Sequence, residues 1–390
     1  MGRRIVRAGL AAGAALLLAG CGGGTDPADA AGSGGASGGG KNGGGEAGPA
    51  GGGDPRTASL AQPDTLTVSF CHTIPSGDGG EVYGLTLRSF SAKDGAFVGE
   101  RSTVLPADVE PTAGCEEDGP GHGVGTAFNK DLTLVAGIVS ASTDRAAAFD
   151  LATGKELAPP DPDSFAKRPK NNGAAFHPVT GRLWYDMQHH DFESDDPVAS
   201  RDPKGGPKTE ETVPFEKLPD LLGTDGPTAT TILATDGIHG PAVPRGGIVA
   251  GYSMGAGVHL NRVDRDGDVG AGSFLTDIET KGLDGTSLNC RPSFWRDATT
   301  LVCEFKQITF TADYAKVVKT EDLIPENDRT NLPPVLSPDG KSFAFLSKGE
   351  NDRWGLFRGD FSGAEPVKIT DVDPPIDGSD EHRESLVRWN

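Results

Sequence analysis

From Leu332 to Asp371 the chain reads LPPVLSPDG, KSFAFLSKGEND, RWGLFRGDFSGA, EPVKITD, and this run constrains the fold more than any other feature. It holds four short strand-like segments separated by turn chemistry. Pro338 fixes φ at the corner of the first turn, Asp339 offers a carboxylate to nearby backbone N–H groups, and Gly340 supplies positive φ without a steric penalty. Phe343 and Phe345, then Trp354 and Leu356, alternate with other residues, which is the period of strands whose two faces differ in burial.

The same outline recurs. Ala174 to Tyr185 gives AAFHPVTGRLWY, with Phe176, His177, Pro178 and Gly181 where the first unit has its strand end, Ser-Pro and turn Gly. Gly123 to Leu157 repeats short strand, turn, apolar strand, loop and third strand. Cys290 to Val318 places Phe294 and Trp295 at the end of a first strand and Leu301 to Cys303 on a second. Gly247 to Asp277 supplies two more strands, with Asp266-Gly267 a favoured hairpin turn between them. Thr65 to Leu105 contains strands two, three and four of a unit without its first. The last residues, Ser385 to Trp389, read as a first strand with nothing after it.

Short strands and turns at this spacing are how a propeller reads in sequence. The run from Leu332 resembles a blade of the TolB-type β-propeller family, whose repeat is a strand, S-P-D-G-K, an apolar strand, then "LY" and "D-x-x-G" strands. The expected fold is all-β: six four-stranded blades, with first strands near Val124, Ala174, Thr231, Arg291, Val335 and Leu386, closed by pairing of the N- and C-terminal strands. The stretch from Thr231 to Asp277 leaves seven blades open. The resemblance implies a module that binds protein partners at the cell envelope.

The N-terminus reads as an export and anchoring signal. Arg3, Arg4 and Arg7 precede an apolar stretch from Ala8 to Ala19, too short to span a bilayer stably. The run ends in Leu18-Ala19-Gly20-Cys21, which resembles the lipobox of bacterial lipoproteins. Residues 1–20 are therefore expected to be a signal peptide and Cys21 the site of a diacylglyceryl group. Residues 21–64 are Gly-rich with almost no large apolar side chain, so they cannot offset the entropy of ordering; a Gly-rich tether of that length reaches roughly 35 Å. Residues 65–390 are expected to be the propeller, with an insertion at about 188–227. The localisation that follows is a cell membrane, lipid-anchored and facing outside the cytoplasm.

Lys plus Arg number 36 against 56 Asp plus Glu, a formal charge of -20. That excludes nucleic acid as a partner on electrostatic grounds, since phosphate backbones reward Lys and Arg clusters. With Cys21 lipidated, Cys71, Cys115, Cys290 and Cys303 remain, an even number in a disulfide-permissive compartment. Four Cys allow three pairings. The blade scheme favours Cys71 with Cys115, between neighbouring blades, and Cys290 with Cys303, across one hairpin.

Three clusters are candidates for chemistry. Gly251-Tyr252-Ser253-Met254-Gly255 matches the G-x-S-x-G nucleophile elbow, but Gly255, Gly257 and Asp264 to Gly267 break the helix that an elbow must open. Asp264, Asp266 and Asp268 resemble part of a calcium loop, departing from it at Val269 and Gly272; an empty hairpin turn is the preferred reading. His189, His190 and Asp191, with acidic neighbours, are the first place to look for a binding loop, although adjacent His residues on a strand point to opposite faces. His177, at a turn, is read as structural. The expected function is a monomeric binding or scaffolding module for an envelope protein or small ligand, without a cofactor; Ca²⁺ is the alternative. A lipid-anchored hydrolase using Ser253, or acting on a substrate in the channel, is the alternative function.

Overall fold

The structure, a computed structural model, describes residues 59–390 apart from 77–79, 114, 116–123, 141–143, 159–170, 172, 187–197, 206–210, 214–242, 246, 254–256, 264–274, 279, 281–282, 284–287, 351–352 and 375–382. The described residues form six antiparallel sheets. The first contains β1 (Thr65–Pro75), β2 (Glu81–Ser91) and β3 (Phe97–Val104). The second has β4 (Val109–Pro111), a one-turn helix α1 (Val124–Ala127), β5 (Leu134–Ser140) and β6 (Asp144–Asp150). The third comprises β7 (Ala174–Phe176), β8 (Leu183–Asp186), β9 (Val198–Arg201) and β10 (Glu211–Val213). The fourth runs through β11 (Val243–Arg245), β12 (Ile248–Ser253), β13 (Gly257–Val263) and β14 (Leu275–Ile278). The fifth has β15 (Pro292–Trp295), β16 (Thr300–Cys303), β17 (Lys306–Phe310) and β18 (Val317–Asp322). The sixth has β19 (Thr330–Asn331) and β20 (Val335–Leu336), both paired with β21 (Ser342–Lys348), then β22 (Trp354–Asp360) and β23 (Val367–Val372).

The last strand, β24 (Arg383–Trp389), pairs antiparallel with β1, giving the first sheet the order β24-β1-β2-β3. The register runs from Leu66↔Trp389 to Cys71↔Arg383. The chain's last strand is thus the innermost strand of its first sheet, and the ring is closed by hydrogen bonds from both ends of the domain.

The core lies between consecutive sheets. Leu66, Val68 and Phe70 of β1 pack with Ala344, Leu346 and Leu356 of the sixth sheet. On the other face of the first sheet, Leu85 and Leu87 meet Val135, Val139 and Phe149 of the second. Second to third, fourth to fifth and fifth to sixth sheets meet in the same way. β1 is buried on both faces over its first eight residues, and its odd positions carry Thr67 and Ser69 rather than hydrocarbons. Thr67 Oγ1 and Ser89 Oγ satisfy one another at 2.8 Å, so this buried polar face carries no desolvation deficit.

The turns from first to second strand solve one problem with four residue types. In the sixth sheet Ser337 Oγ donates to Asp339 at 2.7 Å and accepts from the Ser342 N–H, while Gly340 has φ of 71°. His177 replaces that pair in the third sheet: its Nδ1 accepts from the Val179 and Thr180 N–H groups at 3.1 and 3.0 Å. Asn129 and Asp297 accept two backbone N–H groups each in the second and fifth sheets. His177 is a turn acceptor.

The structure corrects several expectations. Of six four-stranded blades, five sheets have at least four strands and the second has three. The segment at Val124 is a helical turn, because Gly125 has little β propensity and packs so closely that a Cβ there would lie 3.0 Å from the Val387 carbonyl. β4 and a single bridge, Phe128↔Val135, cover the inner edge of β5 instead. The expected insertion at 188–227 contains β9 and β10, which complete the third sheet. Gly247 to Asp277 holds three strands rather than two, since Gly247 to Val263 is itself a hairpin, β12 paired with β13 from Ile248↔Arg262 to Ser253↔Gly257; Asp266-Gly267, outside the described residues, lies in sequence between β13 and β14, which pair antiparallel as expected of a hairpin. Finally, the folded domain begins before residue 65, since Leu60 is fully buried and its carbonyl accepts from Thr65 Oγ1 and Ser89 Oγ.

Candidate functional site

Antiparallel pairing sorts the connections to the two ends of each sheet. Turns from first to second and from third to fourth strands share one end; connections from second to third strands and from one sheet to the next share the other. At the first end an Asp stands in the third-to-fourth turn of four sheets, Asp94, Asp202, Asp313 and Asp360, and Asp150 stands at the turn that follows β6 of the second; each accepts the backbone N–H two residues on. Asp94, Asp313, Asp339 and Asp360 are held below the usual carboxylate value, first by hydroxyl donors from Ser91, Thr311, Ser337 and Ser362, then by backbone N–H groups. At Asp297 burial opposes ionisation, but the donors from Thr299 and Thr300 outweigh it.

These carboxylates predict an acid transition. Their folded values lie below the unfolded one of about 3.9, so the stability they contribute is complete above that pH and is lost as pH falls through the folded values. The urea midpoint is expected to be flat from pH 7 to about 5 and to drop below about 4. Asp339→Asn with Asp360→Asn should make the drop shallower; a midpoint equally steep in the double variant would remove these turns as its cause.

The other end carries the connections that the sequence singles out. Ser253 is the last residue of β12, and its backbone pairs with Gly257 of β13. Val258 N–H donates to Leu288 O at 2.7 Å, and a Cβ on Gly257, whose φ is 77°, would lie 2.3 Å from that oxygen. Glycine is thus required where the hairpin touches the chain entering the fifth sheet. A nucleophile elbow is a strand, a sharp turn and a helix; here strand returns to strand. His189, His190 and Asp191, between β8 and β9 in chain order, lie outside the described residues, as do Asp264, Asp266, Asp268 and Cys21. Among the described residues no group of three or more His, Cys, Asp or Glu is placed to hold a metal ion, and no helix is long and apolar enough to cross a membrane.

The disulfides join Cys71 to Cys115 and Cys290 to Cys303, the favoured pairing. The first ties β1 to the chain between β4 and α1; the second ties the start of β15 to the end of β16. A recess of about 380 Å³ opens beside β1, lined by His72, Gly84, Thr86, Ser102, Val104 and Thr153 among others. Gly84 makes room for the buried His72 ring, since a Cβ there would approach it to 2.4 Å. The sequence reading missed this recess. The only signal, a His on an apolar strand, acquires its meaning from the Gly paired across from it.

The fold and its closure define a β-propeller protein. No protein-family model and no curated protein matches the sequence. Solved structures similar to it include TolB from Acinetobacter baumannii, at 13% identity over 79% of this chain and 70% of that one, TM-score 0.31. Others are the periplasmic gluconolactonase of Pseudomonas aeruginosa, at 12% over 79% and 83%, TM-score 0.33, and an oligogalacturonate lyase in complex with manganese, at 12% over 80% and 76%, TM-score 0.36. At these values the likeness is one of fold, and what those proteins bind or act on remains theirs.

Proposed function

We propose that this chain is a lipid-anchored, extracytoplasmic propeller that serves as a binding scaffold at the cell envelope, for an envelope protein or a small ligand. The observation that carries the reading is a ring closed by β24 and pinned by two buried disulfides, a rigid frame suited to an oxidising compartment. The chain enters β1 from Asp64, whose N–H donates to the Asn390 carbonyl at the Asp-turn end of the first sheet. The opposite end, with its longer connections, is therefore free to be presented to a partner. Affinity capture with the tagged domain from envelope extracts tests the scaffold reading; recovery of no protein above a heat-denatured control, and of no small ligand, would sink it.

The anchor has its own test. Cys21→Ala is expected to abolish lipidation and move the protein from the membrane fraction to the aqueous phase, because a single lipid-bearing residue holds it. Retention of the variant in membranes would mean that something else anchors it. Ser253, in a hairpin, is expected to resist a fluorophosphonate probe that labels activated serines; labelling lost in Ser253→Ala would reinstate the hydrolase.

A further inference from the structure

We infer that the recess beside β1 is a binding site for a small uncharged ligand rich in hydroxyl groups, a polyol of monosaccharide size. The inference narrows the small-ligand arm of the scaffold reading and rests on it. The floor of the recess is made of two adjacent cross-strand rows on one face of the first sheet. His72, Gly84 and Val104 stand opposite one another in the first row, and Thr86 and Ser102 in the second. Ile74 and, from the turn after β6 that abuts the end of β3, Ala152 and Thr153 supply the walls.

Gly84 marks the site. It lies inside β2, where a glycine weakens the strand, and its φ is outside the left-handed region, so the backbone does not require it. Space does: a Cβ there would lie 2.4 Å from Cε1 and Nε2 of His72 and 2.8 Å from Cδ1 of Ile74. A glycine inside a strand is found where a ligand or another group approaches closely. Here it seats an imidazole that is only 6% exposed yet forms part of the cavity wall.

The chemistry of the lining selects the ligand. The hydroxyls are fixed by protein partners: Thr86 Oγ1 and Ser102 Oγ bond one another at 2.9 Å, and Thr153 Oγ1 donates to Asp150 Oδ1 at 2.9 Å. Each pair keeps lone pairs that can accept from a ligand's O–H groups, while Ile74, Val104 and Ala152 offer apolar surface to the C–H face of a ring. Among the described residues none that lines the recess carries a permanent charge, although 24% of the chain is charged. The next row of the sheet holds Arg88 and Glu100, which pair with each other at 2.6 Å, and the Asp150 carboxylate is engaged by its own turn. An ionised ligand would therefore lose hydration without gaining a counter-charge. A flat aromatic ligand would find no described ring but His72 to stack on. At about 380 Å³ the space suits a single sugar-sized ring rather than a longer chain.

The test titrates the full-length protein, in a detergent without a sugar headgroup, with D-glucose and with D-galactose, read by saturation-transfer difference NMR and by the ring resonances of isotope-labelled histidine. Saturable binding of at least one sugar is expected, with a Kd in the millimolar range that suits a ligand of this size and a shift of the His72 ring. Val104→Trp, which fills the mouth of the recess from an exposed position, should abolish binding. Val179→Trp, exposed on a turn of the third sheet, should bind as the parent does, and unchanged melting temperatures of both Trp variants will show that they fold. His72→Phe should weaken binding about tenfold. The corresponding uronic acid, which adds a carboxylate to the same ring, should bind at least about tenfold more weakly than its sugar. The proposal is overturned by absence of saturable binding of either sugar, by a uronic acid that binds as well as its sugar, or by equal loss in the two Trp variants. Capture of an envelope protein by a domain that binds neither sugar would leave the scaffold standing and remove this site.

Discussion

Deleting residues 384–390 is expected to abolish cooperative folding or lower the melting temperature by tens of degrees, while deleting residues 22–58 leaves it unchanged. The last strand belongs to two cores at once. Leu386 packs in the cluster shared with the sixth sheet, with Trp389 against it, and Val387 packs in the cluster shared with the second. Arg388 adds a clamp: its Nη2 donates to the Gly125 and Phe128 carbonyls at 2.9 and 3.0 Å. Burial lowers this guanidinium to about 10, so it remains a cation at neutral pH and the bonds stay charge-assisted. Removing Leu386 and Val387 forfeits roughly 1.5 to 3 kcal/mol each and Trp389 up to about 3 to 5 kcal/mol, against a net stability near 5 to 15 kcal/mol. The orphaned edge of β1 then exposes its ladder groups. Thermal and urea unfolding of the two deletions decide the matter. Equal tolerance of both would mean that closure contributes nothing to stability. The N-terminal deletion must stop short of Leu60, whose buried side chain would otherwise be lost with the tether.

How much of this was legible depended on local signal strength. The sixth sheet could be read residue by residue, because Pro338, Asp339 and Gly340 mark its turn and its strands hold large alternating apolar groups. The closing strand was legible by bookkeeping: three strands without a first at one end of the domain, a first without successors at the other. β9, with the sequence Val-Ala-Ser-Arg, and β10, Glu-Thr-Val, were not. Each has three or four residues, and their identity as strands comes from pairing, β9 with β8 and β10 with β9, rather than from their own pattern. The second sheet misled in the opposite way, since Val124 to Ala127 sits where a first strand belongs and yet forms a helical turn. The hairpin at Ser253 shows why a motif needs its surroundings: Gly257, outside G-x-S-x-G, decides the local backbone.

The two disulfides should differ in what they contribute, and the difference can be calculated before it is measured. Cys71–Cys115 spans 44 residues and Cys290–Cys303 spans 13. If each acts by restricting the unfolded chain, the longer loop is worth about 4 kcal/mol and the shorter about 3 kcal/mol at 25 °C. Replacing each pair by Ala avoids burying a new hydroxyl at Cys71 or Cys303, which are 2% and 0% exposed. For a domain of this size the expected losses are about 6 °C and about 4 °C in melting temperature. The longer bridge also joins the closing sheet to its neighbour, whereas the shorter acts inside one hairpin. Loss of the first should therefore raise hydrogen exchange in both β1 and β5, and loss of the second should raise it in β15 and β16 alone. If the Cys290/Cys303 variant is instead the less stable, packing around the fully buried Cys303, with Leu301 and Ile308 in its cluster, outweighs loop entropy, and the unfolded-state account of these bridges fails.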